Sequence, residues 1–571
     1  MLPEVVSNIY RVVRSGRRVV AVTSAFMGVT DALLGDSVKL GCPHDNVNAP
    51  SYIATGEEAS AALVSLACDR SGLCSIALKT PELGILAEGP IEEATPVALK
   101  STALLEALDT YDVVVVPGFV ATDARGRTVL LGRGGSDLTA IFLADALRAE
   151  RVRLVKDVDG VYDRDPARAK GARRFERTDW ATAKAVAGRL VQTRALEYAR
   201  VRGLVVEVGA VRFDTATIIG PTAATPTSHP HPRRLRVALA GYGVVGAGVA
   251  ARLLRRPDAF DIVGVLVRDS RGTREGDLPR NRFVTRVSEL LETQPDVVVD
   301  ALSCASTGLS LTENALRARI DVVSANKQAV AAWLRSPSGA GSSGGARLLY
   351  SAAVGGSAPL LETVAEARAA GAEVVEIAGI LNGTVNFILE RLARGVAFET
   401  AIEDAKRAGL AEANPNADLS GADAAAKLNL IAIAAFGSAP RAADVQVTAL
   451  DEQIAAVAAR RPLKQVARLS LRGGLLTGSV TFEPADGSPF ADLSGDRNAI
   501  RIVASDARVW TARGRGAGRW PTTESVFADL LDLAEQATCE INLHSCFAAH
   551  DRNSRERTRT FGKKTDAIAA G

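Results

Sequence analysis

The sequence predicts an α/β fold built in more than one unit. Strand-like and helix-like segments alternate through the first 220 residues, and a second alternation of the same kind opens near residue 235. Between them "PTAATPTSHPHPRR" (221–234) is rich in Pro, Thr and Ser and reads as a stiffened linker rather than as a metal-binding histidine pair. The length of 571 residues agrees, because a single core does not grow that large and about 100–200 residues per domain gives three to five units.

The elements of the first part follow in order. "PEVVSNIYRVVRSG" is amphipathic, "RRVVAVTSA" extended, "YDVVVVPGFVA" a buried strand, "LTAIFLADALRA" a helix and "RVRLVKDVDGVY" a strand and turn. The second series runs through "LRVALAGYGVVGAGVAARLLRR", "FDIVGVLVRD", "PDVVVDALS" and "DVVSAN", and a low-complexity loop, "SPSGAGSSGGA", separates it from a strand expected at "RLLYSAAV". Helices near 360–371, 397–408 and 422–436 then mix with strand-like "VARLSLRG" and "LLTGSVTF". After about residue 537 the pattern dissolves into a polar tail without a readable role.

Composition narrows the class of partner. Hydrophobic residues at 47% and charged residues at 23% suit a globular protein with real cores, and a net charge of +3 provides no broad basic field for nucleic acid. Small-molecule partners are expected. Six cysteines lie scattered without metal-ligand or disulfide spacing, which fits a reducing, cytoplasmic setting. The first residues lack a signal-peptide core, and no run of about 18 apolar residues exists, so neither export nor membrane spanning is expected.

Two stretches carry chemistry. "GYGVVG" sets Gly241, Gly243 and Gly246, with Val244 and Val245 between them, where a strand meets a helix, so that backbone amides at a helix N-terminus can face a pyrophosphate. This is a Rossmann-type arrangement for NAD or NADP. The next strand ends in Arg268, which suits the 2′-phosphate of NADP; the other reading has Asp269 binding the ribose of NAD. The second stretch is "EANPNADLSGADAAAK" (412–427). Ser420 could cap the following helix with Asp423 three positions on, but that leaves Glu412, Asp418 and Lys427 unexplained. Asp423 and Lys427 are four apart and share a helix face near the positive end of the helix dipole, among alanines that leave room for a small molecule. With Glu412 and Asp418 placed to hold an ammonium group, the layout suits a small amino alcohol and proton transfer by the lysine.

Residues 235–535 resemble homoserine dehydrogenases. The resemblance rests on "GYGVVG", "SANK" (324–327), "AAVGGSAPLLE", "GILNGTVNFIL" (379–389), "GLAEANPNADLSGADAAAK" and "GRGAGRWPTTESVFADLLDL" (514–533). It implies that Lys427 donates and accepts the proton, that Asp423 and Asp418 help bind substrate, and that Glu412 and the backbone near Gly409 hold the amino-acid end. Asn382 and Thr384 join the substrate site, Lys327 lies near nicotinamide or substrate, and Ser303 and Gly516 approach the cofactor. It also implies a homodimer or higher homo-oligomer, and a monovalent cation held by carbonyls of Val354, Gly356 and Ala358. The acid that usually accompanies those carbonyls is replaced by Ser351.

Residues 1–220 resemble an aspartate kinase of the amino-acid-kinase fold, through "VTSAFMGVTD" (22–31), "TGEEASA" (55–61), "PGFVA" (117–121), "LGRGGSDLTA" (131–140) and "KDVDGVYDRDP" (156–166). By that resemblance Glu57, Arg133 and Ser136 face aspartate, while Lys156, Asp157 and Asp159 line the ATP and Mg side. Two departures stand out. The sequence begins after the first strand and glycine-rich phosphate loop of the family, so an incomplete sheet with unpaired neighbours is expected. Only the linker stands where paired regulatory domains usually lie, so inhibition by threonine or lysine through such domains is not expected.

The expected organisation is a truncated kinase-like α/β sandwich at 1–220, the linker at 221–234, a Rossmann domain at 235–345 and an α+β catalytic and dimerisation domain at 346–485. A segment returning to the nucleotide half (486–536) and a tail (537–571) complete it. Two readings of the N-terminal part stay open: a working aspartate kinase, or a catalytically silent assembly or regulatory module. ATP-dependent phosphorylation of aspartate separates them.

Overall fold

The computed structural model describes residues 2–41, 46–187, 190–211, 215–227, 234–270, 278–336, 339, 345–546 and 565–570. The chain forms two compact units, one from residues 1–13, 17–231 and 549–571, the other from 14–16 and 232–548. The two linker histidines, His229 and His231, lie outside the described residues.

In the first unit a nine-stranded sheet runs in the order 225–227, 174–179, 216–220, 206–210, 151–156, 565–570, 18–23, 113–117, 75–77. The runs "RVVAVT" and "VVVVP" explain its centre: continuous β-branched stretches suit strands covered on both faces, and Val19, Val20, Val22 and Val113–Val116 are all fully buried. Helix Gly135–Ala146 is buried over nearly its whole length, so its apolar residues face neighbours on every side. Leu138 and Ile141 pack with Val20, Val114 and Leu154. A four-stranded sheet (95–99, 85–88, 120–122, 128–130) completes the unit.

One expectation fails here. The strands flanking the predicted gap are paired: Thr565–Ala570 lies between Arg18–Thr23 and Arg151–Lys156, parallel to both. Part of the polar tail is therefore a central strand, and the helix that begins at Arg519 runs on to Cys546.

In the second unit, six parallel strands in the order 283–284, 260–266, 235–240, 297–300, 321–324, 348–349 form a doubly wound sheet, with helices supplying the crossovers. A second six-stranded sheet, mostly antiparallel, has the order 445–447, 475–484, 463–472, 374–380, 497–504, 509–515. Helix Ala422–Phe436 covers it, packing Leu428 and Ile431 with Ile377, Leu469 and Ile502. After the last strand the chain crosses back at Arg519, and Val526 and Leu530 join the core of Val237, Val249 and Phe260. The stretch expected as a strand at "RLLYSAAV" makes only a two-residue strand, then turns into helix Ser351–Val354. No helix among the described residues is long and apolar enough to cross a membrane.

Candidate active site

The glycine loop after strand 235–240 is built by close approach. Gly241 has φ +96°, and a side chain there would meet the Ala301 carbonyl at 2.7 Å; at Gly246 it would meet the Gly241 carbonyl at 2.1 Å. Only hydrogen fits at both positions, and the turn brings helix Val244–Leu254 to the carboxyl edge of the sheet with Gly243 at its N-terminus. These residues fit a dinucleotide pyrophosphate. Ser303, Arg268 and Asp269 are exposed beside the same edge.

A polar relay positions Lys327. Asp300 ends strand 297–300, is fully buried, and accepts from the Leu302 amide (3.1 Å) and the Ser324 hydroxyl (3.2 Å). Burial lifts its carboxyl to about 6, and the Leu302 amide and the Ser324 and Asn326 side chains oppose that rise. The Asn326 amide donates to Ser324 Oγ (3.1 Å), and its side chain caps helix Lys327–Arg335 by accepting from Ala329 (3.2 Å). Lys327 therefore starts a helix whose origin is fixed by two strand ends.

Lys327 meets the predicted catalytic pair. Its ammonium bonds Asp423 Oδ1, while Lys427 Nζ lies 3.1 Å from Oδ2 of the same carboxylate. Lys427 also donates to the Leu381 carbonyl (2.8 Å) and is only 8% exposed. Burial pushes the Asp423 carboxyl up, but the charges and hydrogen bonds of Lys427 and Lys327 outweigh it and hold the group at about 2. Asn382 organises the opposite side: its oxygen caps helix Gly383–Ala393 through the Val385 amide (2.9 Å), and its NH₂ reaches Asp418 (2.7 Å) and Asp423 (3.1 Å). Burial raises the Asp418 carboxyl, a rise opposed by Asn382. Thr384 fastens the loop by donating to the Leu410 carbonyl (2.7 Å). Glu412 and Gly409 sit exposed on that loop, and Glu412 makes no hydrogen bond or ion pair with any described residue.

The capping box does not form. The helix bearing Asp423 and Lys427 begins after Gly421, at φ +78°, where a side chain would strike Val447 at 2.8 Å, and Ser420 makes no cap to the third residue. Asp423 is freed for the lysines.

The "GRGAG" segment is also held by contact. Gly514 faces Ala358, Gly356 faces the carbonyls of Arg515 and Gly516, and the Ser357 hydroxyl both donates to the Arg515 carbonyl and accepts from its amide. Sequence reasoning missed Asn498: it is fully buried under Gly516, and neither atom of its amide has a hydrogen-bond partner among the described residues. Of the three carbonyls expected around a cation, that of Ala358 accepts from the Leu360 amide (2.8 Å).

The first unit gathers a second cluster. Glu57 accepts from the Ala25 amide (2.7 Å), and burial lifts its carboxyl to about 7 against that bond. Ser24 donates to Ser136 (2.8 Å), and Lys156 pairs with Asp137 (2.7 Å). Asp159 accepts from Tyr162 (2.7 Å), while Arg133 and Asp157 are exposed. Asp137 and Ser24 were not singled out from sequence; Asp137 lies within the quoted "GRGGSD" and is visible only as the partner of Lys156.

Known proteins share these features. Residues 241–349 match the homoserine dehydrogenase NAD binding domain, residues 359–531 match homoserine dehydrogenase, and residues 2–205 match the amino acid kinase family. The homoserine dehydrogenase of Corynebacterium glutamicum is 30% identical over 319 residues, which cover 52% of this chain and 71% of that protein. That of Bacillus subtilis is 28% identical over 316 residues, covering 52% and 72%. The aspartokinase of Helicobacter pylori is 36% identical over 162 residues, covering 28% of this chain and 40% of that enzyme, so the chain spans less than half the length of that relative. With a dinucleotide cradle, a lysine pair on one carboxylate and matches in the same order along the sequence, the chain belongs to the homoserine dehydrogenase family and carries an amino acid kinase family domain ahead of it.

Proposed function

We propose that the chain is a fused aspartate kinase/homoserine dehydrogenase of aspartate-family amino-acid biosynthesis, interconverting L-homoserine and L-aspartate 4-semialdehyde. The carrying observation is the carboxylate of Asp423 clamped between Lys327 and Lys427. That clamp fixes two amines without titrating itself near neutral pH. Lys427 takes the proton of the substrate C4 hydroxyl in the oxidising direction and returns it in the other, with Asp423 and the Leu381 carbonyl setting its orientation. Glu412, unpaired and exposed, receives the substrate ammonium; Asp418 and Asn382 border the same space. A nicotinamide nucleotide on the glycines at 241–246 supplies the hydride chemistry. Arg268 supports NADP as the preferred form.

For the N-terminal unit we read Glu57, Arg133 and Ser136 as aspartate ligands and Lys156, Asp157 and Asp159 as lining the ATP and Mg side, forming 4-phospho-L-aspartate. The Lys156–Asp137 and Ser24–Ser136 pairs support an ordered polar site there. Its substrates are small molecules, and the reading places the enzyme in the cytosol as a homo-oligomer.

Purified protein assayed for homoserine oxidation with NADP and with NAD, and separately for ATP-dependent phosphorylation of aspartate, tests both halves. Homoserine oxidation with a preference for NADP is expected. Absence of homoserine turnover with either nucleotide rejects the dehydrogenase reading, and absence of phosphorylation beside a working dehydrogenase rejects the kinase reading alone.

A further inference from the structure

Strands Arg18–Thr23 and Arg151–Lys156 do not touch each other in the sheet of the first unit. Thr565–Ala570 lies between them along their length, with Arg18 opposite Thr565 and Thr23 opposite Ala570 on one side, and Asp566 opposite Arg151 and Ala570 opposite Val155 on the other. Neighbouring strands lie about 4.8 Å apart, so the space between the flanking two is one strand wide and too broad for them to pair across it. Val19–Val22 and Val152–Val155 flank that space in the buried centre of the sheet. Left open, it would present two facing rows of unmatched amides and carbonyls in an apolar interior, where backbone groups are almost always paired.

We propose that this slot is a strand-acceptor surface whose occupant is the chain's own segment 565–570, and that capture of this segment closes and stabilises the sheet of the N-terminal unit. The sheet is thereby assembled from segments on either side of the dehydrogenase part, and its stability depends on residues that follow that part. The capture also bears on the second polar cluster. Ala570 stands opposite Thr23 and Val155, the residues just before Ser24 and Lys156, so the added strand sets the spacing between the Ser24–Ser136 and Lys156–Asp137 pairs. That last consequence alone rests on reading the cluster as the kinase-like site.

The full-length protein provides the first test, by amide hydrogen exchange. Amides of 566–570 are expected to exchange at least a hundredfold more slowly than in a free peptide of the same sequence and as slowly as those of 113–116; exchange at the free-peptide rate overturns the proposal. Protection that vanishes on dilution to the monomer assigns the strand to a second copy and overturns its assignment to the same chain. Ile568→Pro, which removes a ladder amide from the middle of the segment, is the second test. It is expected to speed proteolytic cutting between residues 18 and 156 at least tenfold while homoserine oxidation stays within twofold. A proline variant as resistant as the parent overturns the proposal. Neither readout requires kinase turnover, so failure of the kinase reading leaves the result interpretable.

Discussion

Replacing Lys427 with alanine isolates the chemical step from binding. The amine sits 2.8 Å from the Leu381 carbonyl and 3.1 Å from Asp423, on a helix packed over the antiparallel sheet, and makes no hydrogen bond to the glycine loop that holds the nucleotide. A positioned general acid–base contributes about 10²–10⁴ in rate, or about 3–5 kcal/mol of barrier. We expect kcat for homoserine oxidation to fall by that factor while the Kd for NADPH stays within about twofold. The fold should tolerate the change, because Asp423 keeps Lys327 as its partner; the main loss is the buried Leu381 carbonyl's donor, on the order of 1–3 kcal/mol. Stopped-flow turnover, fluorescence titration of NADPH and urea unfolding measure the three quantities. Turnover near the parental rate would refute the assignment. A Kd for NADPH weakened as much as kcat would instead place Lys427 in cofactor binding. Asp423, held at about 2, stays ionised at working pH, so no step in the pH–rate profile above pH 5 should be traced to it.

Other groups give independent checks. Glu412→Gln removes an unpaired carboxylate and should raise the KM for homoserine about tenfold with kcat little changed; an unaltered KM excludes it from ammonium binding. Glu57 has its folded-state pKa raised from 4.5 to about 7, so its contribution to stability is fully present below pH 4.5 and is lost as pH rises through 7. The N-terminal unit should lose on the order of 3 kcal/mol across that window, and Glu57→Gln should flatten the slope in urea unfolding; an unchanged slope in the variant rejects burial of Glu57 as its origin. Hydrogen bonds from the Ser306 and Thr307 side chains lower the Cys304 thiol to about 6, whereas burial pushes Cys68 up to about 12. Iodoacetamide mapped by mass spectrometry should modify Cys304 with a midpoint near pH 6 and leave Cys68 intact, and a midpoint between pH 8 and 9 would show those bonds to be absent in solution.

Where sequence reasoning succeeded, the determinant was local. A strand ending in glycines before a helix states its own geometry, and an Asp and Lys four apart on a helix share a face whatever surrounds them. It failed where the determinant was distant. The capping box at Ser420 was a sound local rule, yet the approach of Val447, some 25 residues on, requires a glycine in the left-handed region at 421 and shifts the helix start. "TDAIAA" is too short and too ordinary to announce a central strand, since what makes it one is the pair of neighbours that it meets at the other end of the sequence. Asp300 had a weak signal, an acid closing an apolar strand upstream of "SAN", but its role exists only once strands 297–300 and 321–324 lie side by side.

The placement of Lys327 and Lys427 on one carboxylate also explains why the chain crosses back at Arg519. Lys327 belongs to the nucleotide sheet and Lys427 to the helix over the antiparallel sheet, so Asp423 can hold both only while the two sheets keep a fixed relation. The returning helix supplies that constraint. Thr523 packs on Gly248, where a Cβ would come within 2.5 Å, Arg252 pairs with Glu524, and Phe527 packs at a tilt against Phe260 with centroids 5.8 Å apart. Just before that helix, Gly514 and Gly516 press against residues 356–358 without side chains between them. A bulkier residue at Gly248 or Gly514 would therefore act on the lysine pair from a distance, by moving one sheet relative to the other rather than by touching any group that meets the substrate.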